Sequence, residues 1–179
     1  INHDGGLWVS TDNGGLFLIS RDGKCQRRFL TTTNASLPHA ILGMREDASH
    51  RLWVASYQEG CGWIDEQTGA YHRLHFTLNK ASSVFDVEVD PHDNLWIGTM
   101  SDGLKRLNLK TQQLTEYYAS NRPNSIYNNY IMQLHLSADK TLLYVCTTGG
   151  LSCLDLRRNS WTSVFGTNCL LRDHTVYDV

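Results

Sequence analysis

The chain lacks any stretch that could serve as a helical membrane span: no apolar run approaches the ~18 residues one requires. A helical signature is missing too, since no segment sustains an apolar period of 3.6 residues. Charge is not weighted to one sign. Sixteen Lys and Arg against eighteen Asp and Glu leave a formal net charge of −2, so neither a nucleic-acid surface nor a polybasic membrane patch is indicated. Proline is scarce, at three residues in 179. The five cysteines are odd in number and fit no zinc spacing. They read as scattered, mostly buried thiols, although Cys146 and Cys153 flank a turn and could face each other across a hairpin. No Gly-x-Ser-x-Gly elbow and no phosphate loop occurs. No signal peptide is present, and the first residue is Ile1, so an excerpt of a longer protein is expected.

Repetition is what the chain does contain. Asp93-Asn94-Leu95-Trp96-Ile97-Gly98-Thr99, followed by Asp102-Gly103-Leu104, is one copy of a motif written four times. The others are Asp4-Gly5-Gly6-Leu7-Trp8-Val9-Ser10-Thr11 with Gly14-Gly15-Leu16, Arg51-Leu52-Trp53-Val54-Ala55-Ser56 with Gly60, and Thr141-Leu142-Leu143-Tyr144-Val145-Cys146-Thr147 with Gly149-Gly150-Leu151. The shared aromatic stands at 8, 53, 96 and 144, giving spacings of 45, 43 and 48. A period in the forties around a strand-like centre marks a repeat architecture.

Each repeat reads as four short antiparallel strands parted by Gly, Asn, Asp and Ser clusters. The first strands align as Ile41–Asp47, Val84–Asp90 and Ile131–Ser137, with a fourth beginning at Val176. Strict alternation puts Leu42/Met44, Phe85/Val87/Val89, Met132/Leu134/Leu136 and Tyr177/Val179 on one face. The opposite face opens apolar at Ile41, Val84, Ile131 and Val176, then turns polar. The third strands end on Ser20, Asp65, Asn108 and Asp155, which suit local turns. The fourth strands are aromatic-rich: Phe29, Tyr71 with Phe76, Tyr117 with Tyr118, and Trp161 with Phe165.

A lone four-stranded sheet cannot bury both faces, whereas sheets stacked radially can. The expected fold is therefore all-β: a β-propeller of four-stranded antiparallel blades, about four blades' worth. Expected repeats are 1–38, 39–81, 82–128 and 129–173, with a partial one at 174–179. Burying 150–250 Å² of Trp at ~25 cal/mol per Å² contributes roughly 4–6 kcal/mol before entropy. Ser10, Ala55 and Gly98, just after each Trp, are small enough to let a neighbouring sheet approach. A residue used in every blade stacks the blades, so Trp8, Trp53 and Trp96 are assigned to architecture.

The motif Asn-Leu-Trp-Ile-Gly-Thr, then Gly-Leu, then Asp/Asn-x-x-Thr-Gly and an aromatic, resembles the two-component regulator propeller repeat. The links Ser36-Leu37-Pro38-His39-Ala40-Ile41 and Asn124-Ser125-Ile126-Tyr127-Asn128-Asn129-Tyr130-Ile131 resemble that family's blade connections, and residues 170–176 do so loosely. The resemblance spans the whole chain. It departs at Tyr57-Gln58-Glu59-Gly60-Cys61, which lacks Gly-Gly-Leu, and in the fourth repeat, where Tyr144 replaces Trp and the turn is one residue shorter. The resemblance implies a segment of a larger, seven-bladed ring. It further implies the periplasmic sensor region of a hybrid two-component histidine kinase anchored in the inner membrane, responding to oligosaccharides and controlling transcription. Implied partners are an oligosaccharide or other small ligand, the remaining blades of the same chain, and a second copy in a homodimer. No nucleic acid contact and no cofactor is expected for this segment, nor catalysis by it.

The pattern offers two candidate ligand surfaces. In a propeller the first strands line the central channel, so Arg45, Asp86, Glu88, Gln133, His135 and Asp178 could converge there. The plainer reading is a solvated wall with ion pairs such as Arg45 with Asp86. A hard cation on Asp86, Glu88 and Asp90 is a further alternative, with Asp90, like Asp47, better read as a turn residue. The second surface is the loop face, with His39, Tyr57, Trp63, Tyr127, Asn128, Asn129, Tyr130 and His174, where aromatic faces and amides suit sugars. His72 and His75 are spaced like metal ligands but fall on an expected outer strand with no third ligand evident. The competing functions are a propeller enzyme of lyase or lactonase type with a channel metal, and a purely structural or protein-interaction module.

Overall fold

The computed structural model describes residues 1–75, 83–121, 124–163 and 175–177. These are all β and turn, with no helix among them. In chain order the strands are β1 (Leu7–Thr11), β2 (Gly15–Ile19) and β3 (Cys25–Phe29), then β4 (Ile41–Glu46), β5 (Leu52–Ser56), β6 (Gly60–Ile64) and β7 (Tyr71–Arg73). There follow β8 (Val84–Val89), β9 (Asn94–Thr99), β10 (Leu104–Asn108) and β11 (Leu114–Tyr117), and last β12 (Ile131–Leu136), β13 (Leu142–Thr147), β14 (Gly150–Asp155) and β15 (Ser160–Ser163). They form one three-stranded sheet, β1-β2-β3, and three four-stranded meanders, β4 to β7, β8 to β11 and β12 to β15. The strands group into two compact units, β1 to β7 and β8 to β15, with Val84 counted with the first.

The turn before each motif strand repeats its chemistry. Asn2, Asp47, Asp90 and Ser137 each donate a backbone N–H to the carbonyl of Gly6, Arg51, Asn94 and Leu142, at 2.9, 3.1, 3.0 and 2.9 Å. The residue that reverses the chain has positive φ in all four: Gly5 at 78°, His50 at 60°, Asp93 at 58° and Lys140 at 56°. Three are not glycine, so the surrounding bonds hold them in a sparsely populated region. The Asp47 carboxylate accepts from the amides of Ser49 and Arg51 and from the indole N–H of Trp53 at 2.8 Å. Asp90 repeats the pattern on His92, Asn94 and, at 2.9 Å, Trp96. Both carboxylates are buried, and each locks its turn to the ring the turn introduces.

At the far end of each hairpin a hydroxyl closes the loop. Ser56, Thr99 and Thr147 donate to the carbonyls of Gly60, Gly103 and Gly150 at 2.9, 2.7 and 2.7 Å. Thr147 pairs with Gly150 where the other motif strands span one residue more, so the fourth hairpin is indeed shorter. Between third and fourth strands, Asp65, Asn108 and Asp155 each accept two backbone amides. The Thr68 amide and hydroxyl hold the Asp65 carboxyl below its ordinary value.

Within each unit the two sheets share a core. In the first, Trp8, Leu16, Leu18 and Leu37 meet Leu52, Val54 and Ile64. In the second, Trp96, Leu104 and Ile126 meet Ile131, Leu134, Leu143, Val145 and Leu154. Aromatics bridge these sheets: Tyr117 lies 5.7 Å from Trp96 and 5.6 Å from Trp161, centre to centre. At Gly98 β9 lies close to β12; a Cβ there would sit 2.8 Å from the Ile131 Cγ2.

Alternation fails in β4 and β12, and the reason is a bulge. Ile41 pairs with Ser56 but Gly43 with Ala55, and Ile131 pairs with Thr147 but Gln133 with Cys146. Two residues oppose one, so the faces swap after the bulge. Ile131 and Leu134, three apart and assigned to opposite faces by strict alternation, both enter the core. Leu42, set on one face with Met44 by strict alternation, is exposed while Met44 is half-buried. Cys146 and Cys153 are opposite Leu151 and Tyr144, not each other, and remain free thiols. Phe76, Phe165, Cys169, His174 and Val179 lie outside the described residues.

Gly98→Val is expected to cost about 1–3 kcal/mol through overpacking against Ile131, read as a lower denaturant midpoint at unchanged slope; a wild-type midpoint would refute the close approach. Asp90→Ala leaves the buried Trp96 N–H unsatisfied and is expected to cost at least about 1–3 kcal/mol. Chemical denaturation of D90A beside wild type checks it; an unchanged midpoint would refute the bond.

Candidate functional site

The expected channel strands carry their polar groups at different depths. On β8, Asp86 and Glu88 are 5% and 7% exposed. Asp86 accepts the Val87 amide at 2.9 Å and the Leu134 amide of β12 at 3.0 Å, so one carboxylate ties two sheets together. Glu88 accepts the Val89 amide at 3.0 Å. Gln133 is half-buried and His135 exposed on β12. Arg45, half-buried on β4 in the first unit, donates to the Met44 carbonyl at 3.0 Å. Asp178 lies outside the described residues.

The blade links are built alike in both units. The carbonyls of two consecutive link residues accept from two successive hairpins: His39 and Ala40 from Asn13 and Tyr57, Asn129 and Tyr130 from Gly103 and Thr148. Leu37 and Ile126, at 2% and 1% exposure, anchor the links in the cores. In the second unit this gathers Tyr127, Asn129 and Tyr130 on one short segment. The Tyr127 amide donates to the Ser152 hydroxyl and its ring lies against Gly149. The Asn129 side-chain oxygen accepts the Ala119 amide at 2.6 Å, and the Tyr130 ring lies 5.7 Å from Phe85. Tyr57, in the first unit, is exposed on its hairpin.

Two clusters are not legible as sites in the sequence. Lys105 on β10 is fully buried and bridges Asp102 at 3.1 Å and Glu116 at 2.6 Å, with the Tyr118 ring 5.4 Å away. Burial opposes its charge, but the Glu116 and Asp102 carboxylates outweigh that and hold it above the ordinary lysine value. A lysine between Leu104 and Arg106 looks like an ordinary exposed strand residue; the partners eleven residues on and three back become visible only once β11 is paired.

The second cluster lies in the first unit. A cleft of about 910 Å³ opens between the turns at Asn2–Asp4, Ser49–Arg51 and Asp65–Gln67, with Arg27 and Trp63 on its walls. At its edge His3 and His50 both point a ring Nδ1 at one Glu46 oxygen, at 2.6 and 3.0 Å. Hydrogen bonding to Glu46 holds His3 above its ordinary value. Glu66 is held above the usual carboxylate range by burial and by the nearby Glu46 charge. The Trp8 indole N–H is near enough to ease that charge but falls short of hydrogen-bond geometry, leaving it and Glu66 Oε1 unsatisfied. His72 stacks on Trp63 at 4.0 Å, which accounts for it as a packing residue.

No family model matches the chain, and no curated relative does. Solved structures do. The extracellular domain of a proposed hybrid two-component system of Bacteroides thetaiotaomicron, BT4673, superposes over 99% of this chain with a TM-score of 0.72 at 20% identity. That of BT3049 from the same organism covers 79% with a TM-score of 0.66 at 22% identity. Virginiamycin B lyase from Staphylococcus aureus covers 94% with a TM-score of 0.68 at 15% identity. The chain spans 20% and 24% of the BT3049 and BT4673 domains and 54% of the lyase. At such identities the likeness is one of fold: the sheets are β-propeller blades.

Lys105→Met strips Asp102 of its buried counter-charge and is expected to cost roughly 3–5 kcal/mol, the usual loss on breaking a buried pair from one side. The wild-type contribution is fully present below the unfolded lysine value of about 10.4. It is lost as pH rises through the higher folded value. The gap in melting temperature between wild type and K105M should therefore stay constant up to about pH 10 and narrow only above the unfolded lysine value; a gap that closes below about pH 10 would refute the charged assignment.

Proposed function

We propose that this segment forms part of the extracytoplasmic, ligand-binding propeller of a hybrid two-component sensor, and that the parent responds to an oligosaccharide. The observation that carries the reading is the superposition of 99% of the chain on the BT4673 extracellular domain, taken with the four in-register motif copies in the sequence. Membrane anchoring, a periplasmic setting, transcriptional output and a homodimeric parent belong to the same proposal. So do the missing blades that would complete the ring.

The ligand surface is placed on the links rather than on the inner strands. Tyr127, Asn129 and Tyr130 are fixed on one short link by their main-chain groups and the Asn129 side-chain oxygen. Rings and amides at fixed spacing suit a sugar's apolar faces and hydroxyls. Asp86 and Glu88 already accept backbone amides and are nearly out of solvent. That weighs against a lyase or metal chemistry on them.

Calorimetric titration of the complete extracellular region with a panel of glycan fragments tests the proposal. One fragment is expected to bind saturably. Tyr130→Ala is expected to weaken it by about 1–3 kcal/mol, the size of a lost stacking anchor, with the melting temperature little changed. Absence of binding across the panel, or binding indifferent to Y130A and Y127A, would refute the ligand surface.

A further inference from the structure

We propose that His3, Glu46 and His50 form a binding site for one divalent transition-metal ion of the zinc class, open to the cleft of the first unit. The three donor atoms lie within 4.8 Å of one another, one from each side chain. Two imidazole nitrogens converge on a single carboxylate oxygen, at 2.6 and 3.0 Å. Zinc bonds of about 2.0–2.1 Å in a tetrahedron need donors about 3.3 Å apart. The two nitrogen–oxygen separations already lie near that spacing, and both rings are exposed enough to adjust.

The surroundings are those of a supported site. His3 turns its Nδ1 to Glu46 and its Nε2 to the Asp4 carboxylate, 3.3 Å away. A ligating histidine is commonly oriented by just such a carboxylate on its other nitrogen. The His3 backbone amide donates to both Glu46 oxygens, at 3.1 and 3.3 Å, and the Glu46 side chain is only 7% exposed. The acid is thereby held in one orientation beside the two rings. His50 is pinned by the positive-φ turn that ends β4. Two imidazoles select the borderline metals over calcium or magnesium, which prefer all-oxygen shells. Three protein donors leave the fourth position to water or to a group entering the cleft, as in open zinc sites.

The cluster combines residues from two sheets, and no short sequence motif joins residue 3 to residues 46 and 50. Its test is independent of the sensor reading, since it needs neither sugar nor signalling. Zinc chloride is titrated into metal-stripped protein by calorimetry, and cobalt(II) is added in parallel to read ligand-field absorption. Saturable binding of one zinc per chain is expected, with intense cobalt bands diagnostic of four or five ligands and a raised melting temperature.

His50→Asn keeps a residue that tolerates positive φ, and Glu46→Gln keeps the shape. Each is expected to weaken zinc roughly tenfold or more, since loss of even an outer partner has that effect. His39→Ala, which breaks a separate histidine–carboxylate pair with Glu59, should leave affinity unchanged. Unsaturable binding to wild type, or equal affinity in H50N, would overturn the site and leave the cluster as a proton-bridged ion pair.

Discussion

The fold rests on a carboxylate that reaches six residues forward to an indole. Asp47 to Trp53 and Asp90 to Trp96 each close a turn, satisfy two or more of its backbone amides, and fix the ring that fills the space between sheets. A bulky apolar ring could pack in several rotamers; a buried hydrogen bond to one atom selects a single one. The two other repeats reveal the effect of changing a partner. The Asn2 side-chain oxygen accepts the Gly6 amide, and the Trp8 N–H goes unsatisfied. Where Trp becomes Tyr144, the acid has become Ser137, whose hydroxyl still closes the turn. At Trp53 and Trp96 acid and indole are buried together, and each satisfies the other.

Much of this is legible in the sequence because it is local. The strand starts, the turn residues at 20, 65, 108 and 155, and the shorter fourth hairpin are all encoded within a few residues. The bulges are not, because Ile41-Leu42-Gly43 and Ile131-Met132-Gln133 look like unbroken apolar strands. Only pairing with β5 and β13 reveals the extra residue. Legibility of the candidate site falls with sequence separation. Tyr127, Asn129 and Tyr130 lie on one link and stand out together. The Asp86 bridge to Leu134 and the cluster of His3, Glu46 and His50 join residues more than forty apart, where nothing in one chain's sequence records the contact.

Charge is distributed in keeping with this division. Buried carboxylates at 47, 86, 88 and 90 accept backbone amides or an indole, and Asp47 also pairs with Arg51. The groups left facing solvent differ between the units: imidazoles and acids around a cleft in the first, aromatic links in the second. The repeat thus supplies nearly identical supports to surfaces of different chemistry.

The paired link carbonyls extend that division into evolutionary terms. His39 with Ala40, and Asn129 with Tyr130, anchor successive hairpins through main-chain oxygens alone. Any residue has a carbonyl, so this hold on the hairpins does not depend on which side chains stand at these positions. Lineages could exchange the rings and amides there, altering what the surface recognises, while the scaffold beneath stays mechanically the same.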